Sequence, residues 1–394
     1  MKSKPVLANV VVVLVSLLVG TILCEVGARF VLNPADYLSV TTLRDPVLGM
    51  TIAPDSPGFD KWGFRNPGVP ESVDVLALGD SHTYGNTAKM DEAWPSVVHR
   101  QTGLTVYNMG LGGYGPNQYY QLLTTRGVSL HPKRVVLGLY MGDDFENAFS
   151  TTYGLDHWAS LRTGRWDKVE ADIWGDEEAP GRFKILRNWL SRNSVIYRLV
   201  VHGPALRRLK GSLQTKLANV TADPSVTTFD SADGTIHEAF RPIRIAAGLD
   251  QERAEVKEGM RLTFHFLQEM DLACRRSGCS FSVVIIPTKE TVFASYLQSD
   301  PQLNLKDVVN AVITNEQIAT TVLEKFLDDA GIPYVVTLPA LRERVSEQLY
   351  YRGPADMHPG PNGYKVIGET VARYLRQPDA AVHRSPDTTP AGVR

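Results

Sequence analysis

The chain has 394 residues, 41 Lys+Arg against 43 Asp+Glu and nine His, giving a formal charge of −2, with 43% apolar and 21% charged residues. This balance fits one large or two modest globular domains and excludes a strongly basic nucleic-acid binder. Three cysteines exclude a disulfide framework, no Cys/His spacing fits a zinc site, and no internal repeat suggests a solenoid or propeller.

Residues 6–24 (VLANVVVVLVSLLVGTILC) carry no charge. At ~1.5 Å per residue they reach roughly 28 Å, the thickness of a bilayer core. Lys2 and Lys4 precede the run, which places the N-terminus in the cytoplasm and the remainder in the periplasm or outside. The run exceeds the ~7–15 apolar residues of a cleavable signal, and Leu23 before Cys24 does not suit lipoprotein processing. An uncleaved single-pass anchor is expected over residues 1–33, with cleavage after Ala28 as the alternative.

Residues 33–72 are rich in Pro, Gly and Asp and read as loop and linker. Strands are expected at Val73–Leu78, Leu104–Asn108, Arg134–Met141, Phe281–Pro287 and Pro333–Thr337. Helices are expected at Asp91–Thr102, Asn117–Arg126, Glu255–Arg276, Asn315–Ala330 and Gly363–Leu375. Continuous Val/Ile/Leu runs alternating with helices predict a parallel sheet covered on both faces. The α/β domain is expected in two parts, residues 34–150 and 255–377, with an insertion or cap at 151–254 and a disordered tail at 378–394.

The insertion holds Trp158, Trp166 and Trp174, and Arg182–Lys216 carries nine Lys/Arg and no acidic residue. Phe183, Leu186, Trp189 and Leu190 recur there at helical spacing. Two readings stand: a basic amphipathic helix on anionic lipid or an acidic glycan, or a solvated helix packed by its apolar stripe. Cys274 and Cys279 flank a helix-to-strand turn and are either bridged or free.

Four segments follow strands, where a doubly wound sheet places its ligands. Gly79-Asp80-Ser81-His82-Thr83-Tyr84-Gly85 puts a serine at a strand-to-helix turn, beside a helix N-terminus that favours developing negative charge. Asn108-Met109-Gly110-Leu111-Gly112-Gly113-Tyr114-Gly115 offers backbone N–H groups for close approach to a substrate oxygen. Gly142-Asp143-Asp144 follows the third strand. Asp356-Met357-His358-Pro359 spaces a carboxylate and an imidazole so that the first can hold the second as a base for Ser81. A metal at Asp356 and His358 lacks further ligands at suitable spacing.

Together and in this order, these segments resemble the SGNH, or GDSL-type, hydrolase superfamily, over roughly residues 44–150 and 255–376. The resemblance implies a three-layer α/β/α, flavodoxin-like domain on one N-terminal transmembrane helix. It implies Ser81 as nucleophile, His358 as base, Asp356 as its orienting partner and Gly113 as an oxyanion donor. Gly63-Phe64-Arg65 and the Ile286–Glu290 strand end resemble membrane-anchored bacterial members found with exopolysaccharide genes. Those relatives include carbohydrate O-acetylesterases and O-acetyltransferases, among them alginate acetylation proteins. The expected function is therefore a serine esterase that removes acyl groups, acetyl by the resemblance, from extracytoplasmic carbohydrate, with no metal or organic cofactor. The alternatives are O-acetyl transfer to exopolysaccharide, or a non-catalytic glycan-binding scaffold in a polysaccharide secretion complex.

One position departs from the pattern. The family's third block carries an oxyanion-donating Asn where this chain has Asp143, and an ionised carboxylate has no proton to donate. Either Asp143 stays protonated beside Asp144, or the Ser81 and Gly113 N–H groups suffice with Asn147 as substitute, or the enzyme is slow or tuned to an unusual acceptor. The second reading is the one expected here. His82 is expected to face solvent at the helix start, and Asp80 to organise the turn.

Overall fold

The computed structural model describes residues 4–164, 166, 182–202, 224–350 and 356–377. The main helices, in chain order, are α1 (Lys4–Val31), α2 (Ser81–Tyr84), α3 (Trp94–Thr102), α4 (Pro116–Thr125), α5 (Asp144–Gly154) and α6 (Arg182–Asn193), then α7 (Val195–His202), α8 (Pro242–Leu249), α9 (Ala254–Ser277), α10 (Lys306–Ala330) and α11 (Pro361–Leu375), with short helices at Lys289–Val292, Ala294–Ser299 and Leu338–Glu343 besides. The chain divides into two compact units. One comprises residues 1–42, 52–63 and 176–222, and the other residues 43–51, 64–175 and 223–394. The segment 151–254, read in sequence as one insertion, is thus shared between them. Trp174, residues 203–216 of the basic segment and the tail 378–394 lie outside the described residues.

In the second unit, five apolar runs form one parallel sheet: β1 (Val75–Gly79), β2 (Val106–Asn108), β3 (Arg134–Tyr140), β4 (Ser280–Ile286) and β5 (Tyr334–Val336). Their order is β2-β1-β3-β4-β5, the flavodoxin-like arrangement expected from the sequence. Val75 pairs with both Val106 and Arg134, and Tyr140 with Ile286. β1, β3 and β4 are apolar along nearly their whole length because both faces are covered. On one face Val75, Ala77, Val136 and Val284 pack with Trp94 and Val98 of α3 and with Ile367 and Val371 of α11. The opposite layer is built from α9 packed on α4 and α5.

Most elements fall within two residues of their expected bounds. Two differ for local reasons. The helix expected from Asp91 begins at Trp94, because Pro95 lacks an N–H and belongs in a first turn. Met90–Glu92 before it is a short 3-10 turn. The helix expected from Asn315 begins at Lys306, since Val309, Val312, Ile313 and Glu316 continue its buried stripe. Within the stretch read as linker are two four-residue strands, Thr42–Asp45 and Gly49–Ile52. Cys274 and Cys279 are both free thiols.

From β1 the chain crosses to β2 on one side and, by way of β2, to β3 on the other. The crevice of a doubly wound sheet opens at such a reversal, beyond the carboxyl ends of the strands. The segments that leave β1 and β3 there are Asp80–Ser81 and Gly142–Asp143. Gly79 permits the first of these turns. Its φ is +150°, and a Cβ there would lie 2.1 Å from Thr83 Oγ1 and 2.7 Å from the Gly138 carbonyl oxygen. Gly79→Ala is therefore expected to lower unfolding free energy by about 1–3 kcal/mol, read as a lower denaturant midpoint with an unchanged slope.

Candidate active site

Asp80 caps α2: its Oδ1 accepts the His82 N–H at 2.8 Å, satisfying a donor at the helix start. Ser81 is the first residue of that helix, with Oγ 3.3 Å from Asp80 Oδ2. From the far end of the chain, the loop before α11 brings His358 to it. His358 Nε2 lies 2.8 Å from Ser81 Oγ, and His358 Nδ1 lies 2.7 Å from Asp356 Oδ1. The same Asp356 oxygen accepts the His358 backbone N–H at 3.0 Å, so a single Asx-type turn fixes both the loop and the ring. With Nδ1–H given to the carboxylate, Nε2 keeps its lone pair for the serine proton. Burial alone would raise the Asp356 pKa. The hydrogen bonds from His358, joined by the field of Lys289, hold it below the usual carboxylate range.

The loop is braced from α2's side. Thr87 Oγ1 donates to the Pro359 carbonyl at 2.7 Å, Tyr364 donates its hydroxyl to the Asn86 carbonyl at 2.9 Å, and Asn86 Nδ2 lies 3.4 Å from His358 Nε2. On the other flank, Asn108 Nδ2 donates to the Thr83 carbonyl at 2.9 Å, while its Oδ1 accepts the Gly110 N–H at 2.8 Å. Asn66 in turn clamps the Asn108 backbone, accepting its N–H at 3.0 Å and donating to its carbonyl at 2.9 Å. This ties the glycine loop against α2 so closely that a Cβ on Gly110 would sit 2.3 Å from the Tyr84 nitrogen. Arg65 is buried, donates to the Gly85 and Ala88 carbonyls and lies over the Tyr84 ring. The Gly63-Phe64-Arg65 segment thereby supports the end of α2.

Gly112 borders the nucleophile directly, since a Cβ there would lie 3.5 Å from Ser81 Cβ. Gly113 has a φ of +77°, with open space where a Cβ would be. Among the described residues, no acceptor takes the N–H of Ser81 or of Gly113. Both remain available as donors to a substrate oxygen. Asn147 donates its amide to the Tyr114 carbonyl at 3.4 Å, so its side chain already has a partner.

Asp143 heads α5 and makes no capping hydrogen bond. The residue is half-buried, but Oδ1 is enclosed and has no partner among the described residues. Its pKa stands well above the ordinary value, first through burial and then through the charge of Asp80, against the pull of Arg244 on α8. The charge that opposes Asp143 is thus that of Asp80 and not, as adjacency in sequence suggests, that of Asp144. Asp144 is itself buried and raised, but it is occupied in structure: it accepts the Tyr119 hydroxyl at 2.6 Å and the Tyr140 N–H at 2.8 Å.

The expectation that His82 faces solvent is overturned. It is 1% exposed, its Nδ1 lies 3.0 Å from Asp80 Oδ2, and its ring stacks on Tyr140 at 3.7 Å and stands 4.9 Å from that of His358. Burial lowers the His82 pKa. A neutral imidazole donating Nδ1–H then leaves the charge on Asp80, as that carboxyl's lowered pKa requires despite its burial. Period-2 and helix patterns could not find this residue; only its place beside the serine pointed to it.

An acid, an imidazole and a serine hydroxyl in one hydrogen-bonded line, with the serine's own N–H free, form an apparatus for acyl transfer through a serine ester. No protein-family model and no curated protein matches the chain. Among solved structures, the chain is similar to an extracellular lipase from Streptomyces rimosus, at 12% identity over 78% of this chain and 100% of that one, with a TM-score of 0.40. It is also similar to phospholipase A1 from Streptomyces albidoflavus, at 11% identity over 78% and 100%, TM-score 0.39. An acetyl-xylooligosaccharide esterase from Geobacillus matches at 11% identity over 80% and 99%, TM-score 0.37. At these identities and TM-scores, the functional reading rests on the chain's own geometry.

Lys289, just past β4, is 2% exposed. Its ammonium pairs with Glu238 at 2.6 Å, donates to the Ala239 carbonyl at 3.1 Å and reaches the Asp356 carbonyl at 3.5 Å. It also lies over the rings of Phe240 and Tyr350. One buried cation thus joins the Thr227–Asp230/His237–Phe240 hairpin to the loop of the orienting carboxylate. Lys289→Met strands the Glu238 charge, and is expected to lower stability by about 3–5 kcal/mol. In Lys289→Met/Glu238→Gln, denaturant unfolding should show most of that stability restored while kcat stays low, because the Asp356 carbonyl has lost the Lys289 ammonium.

Proposed function

We propose that this chain is a membrane-anchored serine esterase of SGNH type that removes short acyl groups, acetyl first among them, from extracytoplasmic carbohydrate. The observation that carries this reading is the line from Asp356 through His358 to Ser81, with contacts of 2.7 and 2.8 Å. Ser81 Oγ attacks the ester carbonyl as its proton passes to His358 Nε2. The oxyanion takes hydrogen bonds from the Ser81 and Gly113 N–H groups. Collapse expels the sugar alkoxide, which His358 protonates, and water activated by the same imidazole releases the acid from Ser81. Gly112 borders Ser81 and Asn86 borders His358 Nε2, and both are small enough to leave room for a short acyl group. Lys2 and Lys4 before the apolar helix, whose span Ala8–Val31 is long enough to cross a bilayer, support the anchored topology. The exopolysaccharide setting, within a biosynthesis or secretion complex, rests on the sequence resemblance.

Asp143 enters as a third donor. A carboxyl held protonated can give a hydrogen bond to the oxyanion, doing the work of the family's Asn. Because the raised pKa favours the acid form, this donor is present at lower pH and is lost as pH rises through that pKa. Asp143→Ala is expected to lower kcat by ~10²–10³. Asp143→Asn should stay within a few-fold of the parent at neutral pH and lose the alkaline fall in a kcat–pH profile. A fall retained in the Asn variant removes Asp143 from this role.

The whole reading is tested on the purified full chain with p-nitrophenyl acetate, with and without an oligosaccharide acceptor, against Ser81→Ala. Ser81-dependent p-nitrophenol release without added acceptor mass supports the esterase. An acceptor heavier by one acetyl assigns transfer instead. Failure of a fluorophosphonate probe to label Ser81, together with no Ser81-dependent release, overturns catalysis by this serine.

A further inference from the structure

In the first unit, the charge-free stretch of α1 ends at Glu25, and this carboxylate is fully engaged. Oε1 accepts the Val195 N–H at 3.0 Å, and Oε2 accepts the Ile196 N–H at 3.0 Å and the Ser194 hydroxyl at 2.9 Å. A carboxylate on the first N–H groups of a helix satisfies donors that the helix itself cannot and complements its dipole; α7 begins there. One turn further, Arg29 pairs with Glu25 at 2.8 Å and donates to the carbonyl of Asn193, the last residue of α6, at 2.6 Å. Ser39 donates its N–H to the Ser191 carbonyl at 2.9 Å, and Arg198 Nε donates to the Tyr37 carbonyl at 2.6 Å. The corner between α6 and α7 is therefore fastened to α1 at the level where its apolar surface gives way to charge.

From that corner, α6 presents Phe183, Ile185, Leu186 and Trp189 at 90%, 56%, 55% and 58% exposure. At 100° per residue these four and Leu190 fall in one arc, while Lys184, Arg187, Asn188 and Ser191 fall in the other. Between Arg182 and His202 there are five Lys/Arg and no acidic residue. A solvated helix has no use for a contiguous aromatic and aliphatic face of this kind. We propose that α6 is an interfacial helix that lies in the headgroup layer of the bilayer spanned by α1, its apolar arc on the acyl chains and its cations on anionic lipid phosphates. The corner fixed by Glu25 and Arg29 selects lipid as the occupant, because it sets α6 beside the point where α1 leaves the hydrocarbon. The inference rests on the anchored topology proposed above.

The test uses the full chain in lipid nanodiscs with Cys24→Ser, Cys274→Ala and Cys279→Ala, carrying a nitroxide on a single cysteine at Leu18, Phe183, Lys184, Leu186 or Asn188, each variant first checked for folding by circular dichroism. Accessibility to oxygen and to a nickel chelate is measured by power saturation. The oxygen-to-nickel ratio is expected to be several-fold higher at Phe183 and Leu186 than at Lys184 and Asn188. It should rise further at Leu186 when phosphatidylglycerol is added to phosphatidylcholine. A nickel-accessible label at Phe183 and Leu186, with Leu18 in lipid, overturns the interfacial helix and leaves the anchor standing. Shielding of Phe183 and Leu186 from both reagents assigns the face to a protein contact and also overturns it. A nickel-accessible Leu18 overturns the anchor itself.

Discussion

The hydrogen bond from Ser81 to His358 joins residues 277 positions apart, and every other feature of the site serves to make that closure possible. A parallel sheet sends all its carboxyl ends the same way, so the turn after β1 and the loop before α11 meet above one edge of the same layer. The cost of bringing such distant segments together is met by packing remote from the chemistry: α11 lies on α3, with Ile367, Val371, Trp94 and Val98 in one core. The last few ångströms are then set by polar contacts, from Thr87 to Pro359 and from Tyr364 to Asn86. Nonspecific burial brings the two segments together, and directional bonds fix their distance.

Around that closure the chain concentrates acids in a dry space. Asp80, Asp143 and Asp144 are near enough for the charge on one to oppose the charge on the others. Their environments push them apart: donors from His82 hold the Asp80 pKa down, while burial and the Asp80 charge push Asp143 and Asp144 up. A second group of buried acids lies past β4. Glu290 is pushed up to about 7 by burial, and Glu316 takes hydrogen bonds from Thr288 and Thr291. Lys289 stands among these as the buried cation, which explains why a lysine is found where an apolar side chain would otherwise pack.

The sequence made the layered fold legible because runs such as Val75–Leu78 and Arg134–Tyr140 are apolar on both faces, a pattern with few alternatives. Ser81, Asp356 and His358 were legible because each lies beyond a strand or before a helix in a recognisable order. What stayed hidden was three-dimensional adjacency. Nothing in the string relates Lys289 to Glu238 and Asp356, or Asn66 to Asn108, since those contacts depend on how far a hairpin or loop folds back. His82 was misread for the same reason: a position at a helix start faces solvent unless another strand covers it, and here Tyr140 of β3 does. Asp143 was read with its sequence neighbour, whereas its electrostatic partner comes from the adjacent strand end.

The Glu25 cap also bears on biogenesis. Ala28 is a position at which a signal peptidase could act, and cleavage there would carry Glu25 away with the leader. The N–H groups of Val195 and Ile196 and the hydroxyl of Ser194 would lose their acceptor, and the α6–α7 corner would be released from its mooring. A leader peptide is ordinarily discarded because the mature domain has no further need of it. Here the final turns of α1 hold a segment made some 170 residues later, so loss of those turns would leave that segment without its cap.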